Sequence, residues 1–186
     1  MTTALTIDFV SDIACPWCAV GLGALEKALE GLDGEVQADL HFQPFELNPN
    51  MGPGGQDLAE HLTQKYGSTP EKQAQMRDMI GQRGKEVGFD FHPGGRGRVY
   101  NTFDAHRLLH WAGLSEKSGA QHALKKAFLA SYQGRAEAIE QQEVMLAAVQ
   151  EAGLDVAQAK AILDSDTYAQ DVRDAEQYYM QAGIRS

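Results

Sequence analysis

The sequence predicts an α/β fold that opens with a β–α–β unit, continues through a long helical middle and closes on a helix. Three patterns carry this expectation. Leu5-Thr6-Ile7-Asp8-Phe9-Val10 alternates as a strand does, and Leu22, Leu25, Leu29 and Leu32 recur at helical spacing. Val36, Ala38, Leu40 and Phe42 then alternate with Gln37, Asp39, His41 and Gln43. That second alternation describes a strand with one wet face, suited to an outer position in a parallel sheet, and it puts His41 on the solvated side. Pro44, Pro49, Gly52, Pro53, Gly54 and Gly55 punctuate the loop at which the chain leaves this first unit.

Beyond that loop the elements read as helices. Ser68-Thr69-Pro70-Glu71 offers cap residues, a proline for the first turn and an early acid, with Met76, Ile80 and Val87 continuing an apolar stripe. Asn101 is a helix cap with Asp104 in the first turn, where its charge suits the dipole. Ala123, Leu124, Ala127, Phe128 and Tyr132 mark a further helix; Val144, Ala147 and Ala148 mark another, ended by Gly153. From Asp166 the last helix aligns Val172, Ala175 and Tyr179, with Gly183 just past its end. Met51, Met76, Met79 and Met145 read as core or groove fillers.

Both cysteines of the chain fall in Cys15-Pro16-Trp17-Cys18, between the first strand and the first helix. A thiol attacks a disulfide only as its thiolate, and an ordinary cysteine has a pKa of about 8.5. At a helix start, unpaired backbone N–H groups and the positive end of the dipole face Cys15. Lowering its pKa by about 1.5 takes about 2 kcal/mol, and the dipole supplies roughly 0.3–1, so direct N–H···S bonds are expected to supply the rest. Cys18, one turn in, is placed to resolve whatever mixed disulfide Cys15 forms, and Pro16 suits the first helical position. Trp17 offers apolar surface to a peptide or small thiol. A structural disulfide here would close only a four-residue loop, worth about 2 kcal/mol before strain. A zinc site would need about four ligands, and no second cysteine pair completes one.

Ser11-Asp12-Ile13-Ala14-Cys15-Pro16-Trp17-Cys18, followed by Gly21, resembles the DsbA-like thiol–disulfide oxidoreductases of the thioredoxin superfamily, and specifically their FrnE-like branch. Phe45-Glu46-Leu47-Asn48-Pro49, Lys65-Tyr66-Gly67, the segment Asn101 to Leu108 and Gly183-Ile184 extend the resemblance over essentially the whole chain. It implies a thioredoxin-like fold with a large all-helical insertion, Cys15 as nucleophile and Cys18 as resolving thiol. The expected organisation is 1–55 as the N-terminal β–α–β part of the thioredoxin-like domain, 56–164 as the helical insertion and 165–186 as the helix returning to that domain. Family members continue after the Gly-Ile segment with a Val-Pro pair, the proline in cis, then two strands and a helix. Here the last proline is Pro93, so the C-terminal strands are expected to be missing from this sequence. The histidine of the strongly oxidising periplasmic relatives is absent between the cysteines, which implies a less oxidising couple.

Three functions fit these residues. The first is a disulfide oxidoreductase or isomerase acting on a disulfide-containing protein or a low-molecular-weight thiol. The second is a glutathione-dependent isomerase or transferase of the kappa-class type, with glutathione as co-substrate; those relatives have serine where this chain has Cys15. The third is a peptide-binding holdase. No bound cofactor is expected. Asp12 either relays the proton of Cys18 or raises the thiol pKa values by like-charge repulsion, or it simply satisfies backbone N–H groups in the turn. His106 and His110 share a helix face at a spacing that can bind a metal, but Arg107-Leu108-Leu109 lacks the HExxH glutamate and no third ligand is indicated. A pair of partly buried, hydrogen-bonded imidazoles is the plainer reading, and no metal is expected. The resemblance puts Asn101 and His106 beside the redox groove, where they would meet substrate.

A formal charge of −10 argues against nucleic acid, and Gly94-Gly95-Arg96-Gly97-Arg98 reads as a flexible connector. Nothing approaches the ~20 apolar residues of a membrane span. Met1-Thr2-Thr3 runs straight into a strand without a basic and apolar leader, so the cytoplasm is the expected compartment.

Overall fold

A computed structural model describes residues 2–185; Met1 and Ser186, the outer ends of the first and third expected segments, lie outside them. Strand β1 (Thr3–Ser11) and strand β2 (Val36–Pro44) pair in parallel, with Thr3 opposite Val36 and Ser11 opposite Pro44. Helix α1 (Pro16–Glu30) makes the crossover. It stops two residues short of Leu32, which is 41% exposed in the turn through Gly34, where φ is +78°. The apolar repeat therefore overruns the helix by half a turn. β1 and β2 are the only strands of this sheet among the described residues.

The rest is mostly helical, as expected: α2 (Leu58–Tyr66), α3 (Pro70–Val87), α4 (Phe103–Gly113), α5 (Ala120–Leu129), α6 (Gln142–Glu151), α7 (Val156–Leu163) and α8 (Ala169–Gln181). Three details differ from the sequence reading. The segment expected to be all helix also carries β3 (Gln56–Asp57) and β4 (Arg98–Val99), a short antiparallel pair. A π-helical turn, Ala130–Gly134, extends α5. Helices α2 and α7 have no counterpart among the expected elements, although Asp57 caps α2 by accepting from the Glu60 N–H and Asp155 caps α7 by accepting from the N–H groups of Ala157 and Gln158. Thr69 caps α3 as expected, but Met76 and Met79 are exposed rather than packed; Met145 is buried.

Helices α4 and α5 lie against β2, and the core gathers Ile13, Leu22, Leu108, Leu124, Phe128 and Val149. Each such side chain contributes about 1.5–3 kcal/mol on burial. Helix α3 packs on α1 where a Cβ on Gly23 would stand 2.9 Å from both Cγ2 and the carbonyl oxygen of Val87, so only glycine permits this approach. The insertion is thereby held against the helix that begins at the cysteines.

Candidate redox site

Cys15 is the N-cap of α1, in extended conformation (φ −91°, ψ 113°), and Pro16 opens the helix. Both cysteines are free thiols and half-buried, and Trp17 between them is 42% exposed. The Cys15 thiol is pulled down to about 6, chiefly because the Cys18 S–H donates to its sulfur; burial opposes this, and the backbone N–H groups of Cys18 and Trp17 assist. The N–H groups at the helix start thus act in the expected direction, but the Cys15 side chain makes no capping hydrogen bond, and the neighbouring thiol contributes more. The same hydrogen bond, burial and the Cys15 charge push the Cys18 thiol well above its ordinary value, while Lys125 pulls it down. Iodoacetamide should accordingly modify Cys15 first, with a half-maximal rate near pH 6, before Cys18 reacts. Peptide mapping of the alkylated chain checks this, and equal labelling of both residues would contradict it.

The turn before Cys15 is built around Asp12, which is 1% exposed. One carboxylate oxygen accepts from the Ala14 N–H at 3.0 Å and the Thr102 hydroxyl at 2.8 Å; the other accepts from the Leu47 N–H at 2.7 Å. Its contacts are those of the residue that satisfies the turn, and its charge is the smallest of the influences on Cys15. The motif around Leu47 is tied down in turn by Lys65, whose Nζ donates to the Leu47 carbonyl at 2.8 Å and to Asn48 Oδ1 at 2.9 Å. Gln133 Nε2 donates to the Ile13 carbonyl at 2.7 Å, and Arg96 donates to the Ala14 carbonyl while its guanidinium lies 5.1 Å from the Tyr132 ring. The connector containing Arg96 is therefore anchored, not free. Arg98 donates to the Gly54 and Gly55 carbonyls, and Leu58 N–H bonds Gly97.

Helix α4 supplies the back of the site. Its N-cap is Thr102, not Asn101; Asn101 accepts from the Phe103 N–H at 2.8 Å one residue earlier. Thr102 stands at the cap position without a capping side-chain bond, its hydroxyl donating to Asp12 instead. His106 is 2% exposed, with Nε2 at 3.6 Å from Asp12 Oδ1 and no hydrogen-bond partner, so it faces Asp12 from the interior instead of an open groove. His110 is half-buried beside Tyr168, at 5.2 Å between rings. The two histidines do not form the hydrogen-bonded pair expected of them, and no cluster of three metal-ligating residues occurs among the described residues.

Four residues near the site escaped the sequence reading: Thr102, Arg96, Gln133 and Lys125. Lys125 is wholly buried on α5, and burial pulls its ammonium down to about 8. A further pair, Glu46 and Glu176, lies buried around Arg173; burial raises both carboxyls, that of Glu176 to about 7. A lysine in an amphipathic helix normally reads as a solvated position, so periodicity alone gives no warning of these.

Comparison with known proteins agrees with this geometry. The chain is 29% identical over 168 residues to YwbO of Bacillus subtilis (strain 168), covering 90% of this chain and 75% of that protein. Its structure matches that of the probable DsbA oxidoreductase SCO1869 from Streptomyces coelicolor with a TM-score of 0.84 and 32% identity, over 96% of this chain and 76% of the other. The fold is shared with the cytosolic disulfide reductase DsbM from Pseudomonas aeruginosa, solved with GSH, at a TM-score of 0.61 and 16% identity over 96% and 81%. No helix among the described residues is long and apolar enough to cross a membrane. The DSBA-like thioredoxin domain matches residues 6–185, and the chain belongs to that family.

Proposed function

We propose that this chain is a thiol–disulfide oxidoreductase of the FrnE-like branch, with Cys15 as nucleophile and Cys18 as resolving thiol, working in the cytoplasm on protein or low-molecular-weight disulfides. The observation that carries the reading is the free thiol pair at the start of α1, Cys15 at the N-cap and Cys18 in the first turn, with the Cys15 thiol pulled down to about 6 and the Cys18 thiol pushed up. The Cys15 thiolate attacks one sulfur of the substrate disulfide; the new Cys15–substrate bond forms as the other substrate sulfur leaves as thiolate and takes a proton from water. Cys18 then loses its proton and attacks the Cys15 sulfur, closing the Cys15–Cys18 disulfide and releasing the second substrate thiolate. Two electrons have passed to the substrate, and two glutathione molecules suffice to return the pair to dithiol with release of glutathione disulfide. Run backwards, the same steps oxidise a substrate dithiol.

The kappa-class alternative is disfavoured because its chemistry places serine where Cys15 stands, and a holdase has no use for a split pair of thiol acidities. Cys18→Ser tests the reading, since attack survives and resolution does not. Incubated with a disulfide-containing protein such as insulin, the variant should accumulate an adduct joined to Cys15, visible by mass spectrometry and released by dithiothreitol. No adduct, or one attached elsewhere, would remove Cys15 from the role of nucleophile.

A further inference from the structure

Lys125 is 0% exposed, and its Nζ has no hydrogen-bond partner; it lies 5.9 Å from the Phe42 ring. A bare ammonium in such a place is costly unless charges nearby offset it. The geometry shows where those charges are. Cys18, Leu22 and Glu26 succeed one another at four-residue spacing on one face of α1. Glu26 accepts from His122 at 2.6 Å and from Lys126 at 2.9 Å on α5, and Phe42 packs 5.5 Å from the His122 ring. The face of α1 that carries Cys18 is thus the face turned to α5, the helix from which the Lys125 side chain is buried.

The other charged groups around Lys125 are engaged elsewhere. His122 and Lys126 on its own helix belong to Glu26. On α4, His106 faces Asp12, and Arg107 bonds Asp104 and the carbonyls of Ile162, Ser165 and Thr167. Asp39 and His41 on β2 bond each other at 3.0 Å, and Glu143 and Glu151 on α6 are exposed. The groups whose charge acts on Lys125 are Cys18, Asp12 and Cys15.

Resting on the redox reading above, we propose that Lys125 is a positioning residue for the second half-reaction, its buried ammonium stabilising the thiolate that Cys18 must become before it attacks the Cys15 mixed disulfide. In the dithiol, the Cys15 sulfur holds the Cys18 proton in a hydrogen bond. Once Cys15 is joined to substrate, its negative charge is gone, and Lys125 is left as the cation that favours Cys18 ionisation. The Cys18 proton leaves for solvent, the Cys15–Cys18 bond forms, and the substrate sulfur departs as thiolate. When both sulfurs are tied up in the disulfide, Lys125 retains only Asp12 as an anionic neighbour, so its own proton is held less tightly in that state.

The test is the reaction with 5,5′-dithiobis(2-nitrobenzoate), which releases one thionitrobenzoate when Cys15 attacks and a second when Cys18 resolves the adduct. In Lys125→Met the second release should slow by about tenfold at pH 7 and its pH midpoint should rise by about one, a tenfold change in proton affinity corresponding to one pKa unit. The first release should change by less than about threefold, Lys125 acting on Cys15 only at longer range. Identical pH profiles for the second release in the two proteins would overturn the proposal. Absence of a second release from the unmodified chain would instead overturn the redox reading itself. NMR titration of the lysine 13Cε resonances in the unmodified chain needs no variant to fold. The Lys125 midpoint should fall on passing from dithiol to disulfide, and an unchanged midpoint would also overturn the proposal.

Discussion

Asp12→Ala is expected to lower the unfolding free energy at pH 7 by about 3–5 kcal/mol, the cost of leaving buried donors without an acceptor. Three donors depend on this carboxylate: the Ala14 and Leu47 N–H groups and the Thr102 hydroxyl. They come from the cysteine turn, from the loop after β2 and from the start of α4, so the loss falls on the junction of the three parts that build the site. Asp12→Asn keeps the shape and one acceptor oxygen and should lose less. Burial pushes the Asp12 carboxyl up, but the nearby charge of His106 and the N–H groups of Ala14 and Leu47 outweigh it and hold the carboxyl below its ordinary value. A depressed folded value means that the unfolded chain binds the proton more readily. The stabilisation is therefore full above about pH 4 and lost as the pH falls through the folded value. Urea unfolding at pH 7 and at pH 3 checks both points. The unmodified protein should lose stability with acid by more than Asp12→Ala does, and equal midpoints at pH 7 would show that the carboxylate does not hold the junction.

The parts of this architecture that were legible in the sequence are those whose cause is local. β1, α1 and β2 announce themselves because alternation and four-residue repeats reflect burial of one face, and the cysteine pair sits where a strand gives way to a helix. Gly183, expected past the last helix, has φ +96°, which only a residue without Cβ adopts freely. What stayed hidden depends on contacts far along the chain. Arg96 is 82 residues from the Ala14 carbonyl it binds, Thr102 is 90 from Asp12 and Gln133 is 120 from Ile13. No window of sequence contains both partners. Thr102 stands at the N-cap with its hydroxyl given to the distant Asp12 and not to the helix. Lys125 was concealed for a different reason: a helix that packs on several sides buries positions that a one-faced pattern assigns to solvent.

Cys15→Ser should reduce disulfide turnover by at least about a thousandfold, because a serine hydroxyl is not ionised near neutrality and cannot form the mixed disulfide. The more informative variant is Cys18→Ala, which removes both the resolving sulfur and the S–H that holds Cys15 acidic. At pH 7 a thiol titrating near 6 is about nine-tenths ionised, whereas one at the ordinary 8.5–9 is only about 1–3% ionised. Nucleophilicity falls with thiol pKa, by roughly fifteenfold to thirtyfold over three units. The two effects nearly cancel, so the initial attack of Cys18→Ala on a small disulfide at pH 7 should be slower by only a few-fold. Its pH midpoint should nevertheless move up by one unit or more, and turnover should stop after a single event. The depressed pKa thus does little for the speed of attack and much for the departure of Cys15 when the pair is reduced, since a more acidic thiol leaves a disulfide faster. Stopped-flow measurement of the first attack across pH 5–9 separates these contributions. A midpoint that stays near 6 in Cys18→Ala would assign the acidity of Cys15 to the helix N-terminus alone.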